Sequence, residues 1–206
     1  DAFSVVEPFE PQRDRLREEL GIVALASADA SLARAALVVW AVKPQLFAEA
    51  AAPCAAHVGA ALQLSVMAGI RSDAIVAAAG SPRVVRAMPN TPALIGRGVA
   101  GLFARPAVTP QDRELAQAVL APTGSLEWVP QEADLDAVTA LSGSGPAYVF
   151  YFIEAMVQAG TEMGLEPVLA RRLAQETFAG AAALAAQSAE TPEVLRQRGR
   201  PREGLL

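Results

Sequence analysis

Short apolar runs alternate with segments of helical composition along the first 130 residues. The run at 36–42, ALVVWAV, is continuous, rich in valine and too short for a typical helix, so it predicts a buried parallel strand. Similar runs, which we interpret as strands, lie at 3–7, 62–67, 83–88, 98–104 and 125–129. Helices are predicted between them at 11–20, 45–58, 71–80 and 110–121. Pro53 is expected to break the second of these helices.

The strand signals stop after residue 130. Four helices are predicted from there on, at 132–141, 146–164, 167–187 and 192–198. Thr191 supplies an N-cap and Pro192 a preset first residue for the last of them. The pattern therefore predicts an α/β fold over 1–130, a doubly wound, Rossmann-like and mostly parallel sheet with helices on both faces. An all-α domain over 131–206 should follow it.

Composition narrows the class of partner. The chain has 206 residues, 52% of them hydrophobic, and a net charge of -5, which disfavours a nucleic-acid or acidic-membrane partner. No apolar stretch is long enough to span a bilayer, and the first twenty residues do not resemble a signal peptide. Cys54 is the single cysteine and indicates a reducing cytoplasm, while the single histidine, His57, excludes a multi-histidine metal site. Both are expected on or beneath a helix surface rather than in catalysis.

Ligands bind at the carboxyl ends of the strands in such sheets. The residues that follow three predicted strands are small, proline-fixed or amide-bearing, which lets a flat ligand approach the backbone: Lys43, Pro44, Met67, Ala68, Gly69, Pro89 and Asn90. Glu7 follows the first predicted strand, where a carboxylate can accept hydrogen bonds from a ribose diol. The alternative is that the three loops are ordinary turns and that Glu7 is a solvated glutamate without a ligand. No strand-Gly-x-Gly-x-x-Gly-helix fingerprint occurs in the chain.

A second candidate site lies in the small residues Ser142, Gly143, Ser144 and Gly145, which precede Pro146. Proline suits the first turn of a helix, so a helix should begin here with Ser144 or Gly145 as its N-cap. The unpaired amides of that helix end would form an anion site, open enough for a small carboxylate. A glycine-rich corner between helices is the alternative. Residues behind the turn at helical spacing are expected in the core: Val149, Phe152, Ile153 and Met156.

Four stretches together resemble the pyrroline-5-carboxylate reductase family: AVKPQ at 41–45, SVMAG at 65–69, RVVRAMPNTPALIGRG at 83–98 and ALSGSGPAYVFYFIEAM at 140–156. The resemblance extends from Val5 to about Gln197. It implies hydride transfer from NADPH or NADH to the C=N bond of 1-pyrroline-5-carboxylate, giving proline, in a cytoplasmic homodimer or higher homo-oligomer.

The resemblance also implies roles for particular residues. The nicotinamide dinucleotide-binding domain would be 1–130, and the substrate and dimerisation domain 131–206. Asn90 would lie at the nicotinamide end, and the turn from Ser142 to Gly145 beside the substrate carboxylate. The cofactor would be lined by Ala41, Val42, Lys43, Pro44, Val66, Met67 and Ala68. Glu7 mildly favours NADH, because a carboxylate repels a 2′-phosphate.

The sequence departs from the family at several positions. Many members carry Asn where this chain has Ala28. The family's initial strand and Gly-rich turn, and its Ser-Pro-Gly-Gly-Thr-Thr segment that supplies a hydroxyl near the substrate nitrogen, are not found here. No catalytic hydroxyl is therefore assigned, and we expect the chain as given to be impaired or inactive. The alternatives are a non-catalytic dimerisation or cofactor-binding remnant and a related two-domain NAD(P)-dependent oxidoreductase. A minor-groove hook formed by RGRPR at 198–202 is a remoter one.

Overall fold

The computed structural model describes residues 3–199, which form one sheet and a set of helices. The strands are β1 (Leu37–Trp40), β2 (Leu62–Ser65), β3 (Val84–Met88), β4 (Gly98–Ala104) and β5 (Gly124–Trp128). The α-helices are α1 (Glu10–Leu20), α2 (Phe47–Ala51), α3 (Ala55–Val58), α4 (Ser72–Ala79), α5 (Pro110–Leu120), α6 (Asp134–Val138), α7 (Gly145–Glu162), α8 (Pro167–Gln187) and α9 (Pro192–Arg198). Short 3-10 helices lie at Ala30–Arg34, Pro44–Leu46, Thr91–Ile95 and Ala121–Thr123, and a π-helical turn at Thr139–Gly143.

The sheet is mostly parallel, as predicted. Its strands lie side by side in chain order, from β1 to β5. The pairs β1–β2, β2–β3 and β4–β5 are parallel, and β3–β4 is antiparallel. The carboxyl ends of β1, β2 and β3 therefore meet at one edge of the sheet, and β4 begins beside the end of β3.

Helices cover both faces of this sheet. Side chains alternate along a strand, so Val84 packs with α2, α3 and α4 on one face while Val85 packs with α5 on the other. The first layer is centred on Trp40, Phe47, Val58, Ile75 and Ala79, and the second on Leu62, Leu64, Leu102, Ala116 and Leu120. The predicted α/β class is thereby confirmed.

Two predicted strands differ from the structure. β1 is parallel as predicted, but it lies at the edge of the sheet formed by the described strands, and this position leaves Val39 43% exposed. Only Trp40 in this strand is fully buried. The predicted strand at 3–7 is reduced to a single bridge between Val6 and Leu25, because these residues pair with that short segment and not with a strand of the sheet.

The described contacts divide the chain into two compact units, one ending at Ser144 and the next beginning at Gly145. The sequence pattern placed the change of character near 130. The difference lies in α6, which packs on the sheet: a Cβ on Gly101 of β4 would lie 2.8 Å from Val138 Cγ1. Because Gly101 has no side chain, α6 approaches the strand closely and belongs with the first unit.

The second unit consists of α7, α8 and α9. Thr191 caps α9 as predicted, accepting a hydrogen bond from Val194 N. The expectation that Val149, Phe152 and Met156 pack into a core is wrong for the single chain. Phe152 is 60% exposed and contacts only the ring of Phe178 among the aromatic pairs described, with ring centroids 6.3 Å apart. α7 is apolar on several sides and α8 covers one of them, so the remaining apolar residues stay exposed.

Candidate functional site

The carboxyl edge of β1, β2 and β3 forms the first part of the candidate site. Val66 N donates to Trp40 O at 3.1 Å, which keeps the ends of β1 and β2 level. Just beyond, Met67 N donates to Ser65 Oγ at 3.2 Å and holds the loop after β2 against the strand. The exposed residues Ala41, Lys43, Pro44 and Ala68 follow, whereas Val42 and Val66 are half-buried and Met67 is buried.

The edge has room for a flat ligand. Gly69, after β2, has φ 75°, and no heavy atom lies within 4 Å of the place its Cβ would take. The backbone there faces open space. Together with the exposed segments after β1 and β2, this open edge fits a nicotinamide dinucleotide. Lys43, the single lysine of the chain, belongs to the exposed segment after β1.

Asn90 connects this edge to the predicted substrate turn. Its Nδ2 donates to Ser142 O at 3.1 Å, and its Oδ1 accepts from Val99 N at 3.0 Å. Both bonds go to backbone, so Asn90 ties the end of β3 to the start of β4 and to the turn at once. Sequence reasoning placed Asn90 at the ligand but did not predict that its amide would hold the turn.

The turn itself is closely packed on β3. A Cβ on Gly143 would lie 3.0 Å from Met88 Cε, so the missing side chain lets the turn lie against that methionine. Ser142 Oγ donates to Val138 O at 3.0 Å, and Ser144 N donates to Thr139 O at 2.9 Å. These bonds shape the π-helical turn Thr139–Gly143.

The helix start predicted at this turn is present, with Pro146 second in α7. The predicted cap differs. Ser144 has φ -85° and ψ -19°, which are helical values, whereas an N-cap residue is usually extended. The cause is the π-helical turn, which runs directly into α7 and leaves no extended residue between them. The anion site at Gly145 stays a prediction.

Glu7 lies apart from a strand of the sheet. Its backbone N–H donates to Leu25 O at 2.9 Å, and its Oε1 accepts from Phe9 N, also at 2.9 Å. The prediction assumed that a sheet strand precedes Glu7, but only the Val6–Leu25 bridge does. One carboxylate oxygen is already engaged in this local turn.

Sequence reasoning missed a buried charged cluster on the face of β3 that carries Met88. Arg86 is nearly fully buried, and its Nη1 donates to Glu132 Oε1 at 2.8 Å. The same carboxylate caps the first turn of α4: Ser72 N donates to Oε1 at 2.6 Å and Ser72 Oγ to Oε2 at 2.7 Å. Arg105 extends the cluster by donating to Ser72 Oγ at 3.0 Å and pairing with Asp73. Arg86 Nε is buried without a hydrogen-bond partner among residues 3–199.

This cluster favours the ionised form of Glu132. Burial of the carboxyl opposes ionisation, but the hydrogen bonds from Ser72 and Arg86 outweigh it, so the pKa of Glu132 lies below its ordinary value. A signal for the cluster was present in the sequence. Arg86 interrupts an otherwise apolar strand, and a buried arginine requires an acidic partner.

Cys54 and His57 lie where the sequence placed them. Cys54 is a buried free thiol whose Sγ donates to Ala50 O, and burial raises its pKa. His57 is half-buried on α3.

No helix among residues 3–199 is long and apolar enough to cross a membrane. The RGRPR segment lies mostly outside the described residues.

The sheet with its open carboxyl edge, followed by a helical unit, defines a Rossmann-type α/β protein. The family model for pyrroline-5-carboxylate reductase dimerisation matches residues 132–205. Over 196 residues the chain is 41% identical to the pyrroline-5-carboxylate reductase of Pseudomonas aeruginosa, a match that covers 93% of this chain and 71% of that one. The chain belongs to the pyrroline-5-carboxylate reductase family.

Solved structures of this family resemble the fold of the chain. A pyrroline-5-carboxylate reductase from Coxiella burnetii superposes with a TM-score of 0.87 at 30% identity, over 98% of this chain and 76% of that one. A Plasmodium falciparum pyrroline carboxylate reductase with NADP bound superposes with a TM-score of 0.79 at 28% identity, over 89% of this chain and 70% of that one. Across eight curated relatives, the chain spans 58–72% of the relative's own length.

Proposed function

We propose that this chain carries the cofactor edge and part of the substrate site of a pyrroline-5-carboxylate reductase, which reduces the C=N bond of 1-pyrroline-5-carboxylate to give proline. The observation that carries the proposal is the Asn90–Ser142 hydrogen bond. It joins the ligand edge of the sheet to the Ser142–Ser144 turn within one compact unit. A cofactor on the first and a small carboxylate at the second would then be neighbours.

The cofactor in this proposal is NADPH or NADH. The bound NADP of the Plasmodium relative supports this choice. Ala41, Val42, Lys43, Pro44, Val66, Met67 and Ala68 would hold it, with Asn90 near its nicotinamide end. When bound, it supplies the hydride for the carbon of the C=N bond. The exposed ammonium of Lys43 favours an anionic ligand at this edge.

The substrate carboxylate is proposed to lie at the turn formed by Ser142, Gly143, Ser144 and Gly145. Gly145 supports this assignment, because no heavy atom lies within 4 Å of the place its Cβ would take, which leaves its backbone open to a small ligand. The turn cannot move freely, since Asn90 holds Ser142 O and Thr139 O accepts from Ser144 N. A fixed turn orients a small substrate at little entropic cost on binding.

The second unit is proposed to assemble the chain into a homodimer or higher homo-oligomer. The family model that matches residues 132–205 is a dimerisation model. Exposed apolar side chains on α7 and α8 support the proposal, among them Phe150, Tyr151, Phe152, Val168 and Leu173. A cytoplasmic location is also proposed, supported by the free thiol of Cys54.

A matched pair of charge reversals tests the cofactor edge. Lys43 follows the carboxyl end of β1, whereas exposed Arg34 precedes its amino end. Lys43→Glu should weaken NADPH binding by roughly tenfold or more, and Arg34→Glu should change it less than about twofold, because screening limits a surface charge to its neighbourhood. Equal effects of both variants on the dissociation constant, measured by nucleotide fluorescence, would contradict the proposed edge.

Turnover separates the reductase from a non-catalytic cofactor-binding remnant. The assay follows the loss of NADPH or NADH absorbance with 1-pyrroline-5-carboxylate and the appearance of proline. Binding with turnover supports the reductase. Binding without turnover favours the remnant, and the absence of both rejects the proposed function.

A further inference from the structure

Three side chains on one face of β3 and just beyond it contact the same neighbouring segment. Arg86, Met88 and Asn90 are spaced by two, and side chains at that spacing lie on one face of an extended strand. Arg86 pairs with Glu132, Met88 lies against Gly143, and Asn90 bonds to Ser142. Residues 132–144, which we call the cross-sheet segment, therefore run beside the end of β3 and touch it at both ends.

The lengths of the two elements agree with this arrangement. A helical rise of about 1.5 Å per residue takes the chain roughly 15 Å from Glu132 to Ser142. An extended rise of about 3.3 Å per residue separates Arg86 from Asn90 by roughly 13 Å. Because these two lengths are similar, the cross-sheet segment can contact Arg86 at its amino end and Asn90 at its carboxyl end while running straight beside β3.

The amino end of the segment is held more strongly than a surface ion pair would hold it. The Glu132 carboxylate accepts three hydrogen bonds, from Arg86 Nη1, Ser72 N and Ser72 Oγ. Its side chain is only 19% exposed and that of Arg86 only 5%. Charge-assisted bonds in such surroundings are shorter and stronger than neutral ones. Arg105, just after β4, and Asp73 of α4 close the cluster, and Arg71 pairs with Asp136 at its exposed side.

We propose that Arg86 and Glu132 are positioning residues for the Ser142–Ser144 turn, fixing the amino end of the cross-sheet segment as Asn90 fixes its carboxyl end. The proposal rests on the proposed function, since it assigns the turn to the substrate. Neither residue touches the substrate. They act through α6 and the π-helical turn, which transmit the position of Glu132 to Gly143.

The chain offers a matched control for this proposal. Arg83 and Asp112 form a second partly buried ion pair, and the Asp112 side chain is only 6% exposed. Asp112 belongs to the capping box of α5, and within residues 3–199 its carboxylate bonds to Thr109 N and to Arg83, not to the cross-sheet segment. Asp112→Asn removes a comparable charge from α5, which packs on the same sheet, without touching the segment.

The test measures hydrogen exchange of the Ser144 amide, which bonds to Thr139 O. Glu132→Gln and Arg86→Met should accelerate this exchange by about tenfold or more, while Asp112→Asn leaves it within about twofold, with all rates compared at equal global stability. The same acceleration in all three variants would make the Arg86–Glu132 pair merely structural and overturn the proposal.

The double variant Arg86→Met, Glu132→Gln separates stability from position. Replacing both members of a buried pair is often tolerated where losing one is not, so global stability should recover relative to the worse single variant. Exchange at Ser144 should stay fast, because the amino end of the segment is then no longer fixed to β3. Recovery of slow exchange together with stability would contradict the positioning role.

Steady-state kinetics connects the turn to the substrate. If the chain turns over, Glu132→Gln should raise KM for 1-pyrroline-5-carboxylate by roughly tenfold with KM for NADPH within about twofold. If it binds cofactor without turnover, Glu132→Gln should raise the dissociation constant of a proline analogue by the same factor and leave that of NADPH within about twofold. Asp112→Asn should leave all of these constants in place. If the wild-type chain shows no turnover and no cofactor binding, the proposed function fails, and the exchange experiment still decides whether the pair positions the turn. Turnover with unchanged KM in Glu132→Gln would reject the link to the substrate.

Discussion

The side-chain amide of Asn90 donates to the main-chain oxygen of Ser142 across 3.1 Å, although the two residues lie far apart in sequence. Its carbonyl oxygen accepts from Val99 N at 3.0 Å. One half-buried side chain thus orders the end of β3, the start of β4 and the turn proposed to bind the substrate.

Substitutions at Asn90 should separate its two bonds. Asn90→Asp keeps an acceptor for Val99 N but replaces the donor to Ser142 O by a second acceptor, whereas Asn90→Leu loses both. We expect a destabilisation of about 1–3 kcal/mol in each, from unsatisfied or repelling polar groups. Hydrogen exchange should show the Val99 amide protected in Asn90→Asp and unprotected in Asn90→Leu. Equal loss of protection in both would mean that Oδ1 does not hold Val99.

Gly143 should tolerate larger side chains progressively less well while Met88 is in place. A Cβ would lie 3.0 Å from Met88 Cε, so Gly143→Ala must push the methionine away and Gly143→Val must displace the turn. We expect Gly143→Val to abolish binding of proline analogues and to leave cofactor binding nearly intact, as measured by calorimetry. Gly59→Ala is the control, since Gly59 lies between α3 and the amino end of β2 with φ -60° and an added Cβ there would make only ordinary contacts, 3.8 Å from Ala79 O and Gly80 O.

A double-mutant cycle tests the cause of that effect. Met88→Ala removes the atoms that crowd Gly143, so Gly143→Ala should cost less unfolding free energy in Met88→Ala than in the wild type. A coupling of about 0.5–3 kcal/mol is typical of side chains in contact. Strict additivity would show that Met88 does not limit the residue at 143.

Glu132 should make stability depend on pH. Its folded-state pKa is lowered, so ionised Glu132 stabilises the fold above its unfolded-state pKa, and this contribution is lost as pH falls through the folded-state value. The difference in unfolding free energy between wild type and Glu132→Gln should therefore be large at neutral pH and shrink in acid. Urea unfolding at a series of pH values measures it. A constant difference would show that the charge of Glu132 contributes nothing.

The helical unit should associate through its exposed apolar residues. Phe150 is 62% exposed on α7, and Val23, in the first unit, is 75% exposed. Sedimentation at micromolar concentration should show self-association of the wild type, weakened by Phe150→Asp because a buried unpaired charge opposes an apolar interface. Val23→Asp should leave it unchanged. A stable wild-type monomer would refute the expectation.

The sequence by itself determined the α/β class, the parallel direction of β1, β2 and β3, and nearly every helix. The run ALVVWAV and the breaks at Pro53 and Gly164 are local signals, set by periodicity and backbone restriction. The motifs around Asn90 and Ser142 also identified the family before any contact was known. Local chemistry sufficed for these features because each depends on neighbours in the chain.

Tertiary structure alone decided which of these residues meet. The exposure of Val39 follows from the edge position of β1, and the attachment of α6 to the first unit follows from the absent side chain of Gly101. The pairing of Arg86 with Glu132 needed the fold to bring residues 46 positions apart together. Periodicity shows that a buried arginine must find a carboxylate. Which carboxylate it finds depends on three-dimensional packing, because hydrogen bonds act over a few ångströms and take no account of distance along the chain.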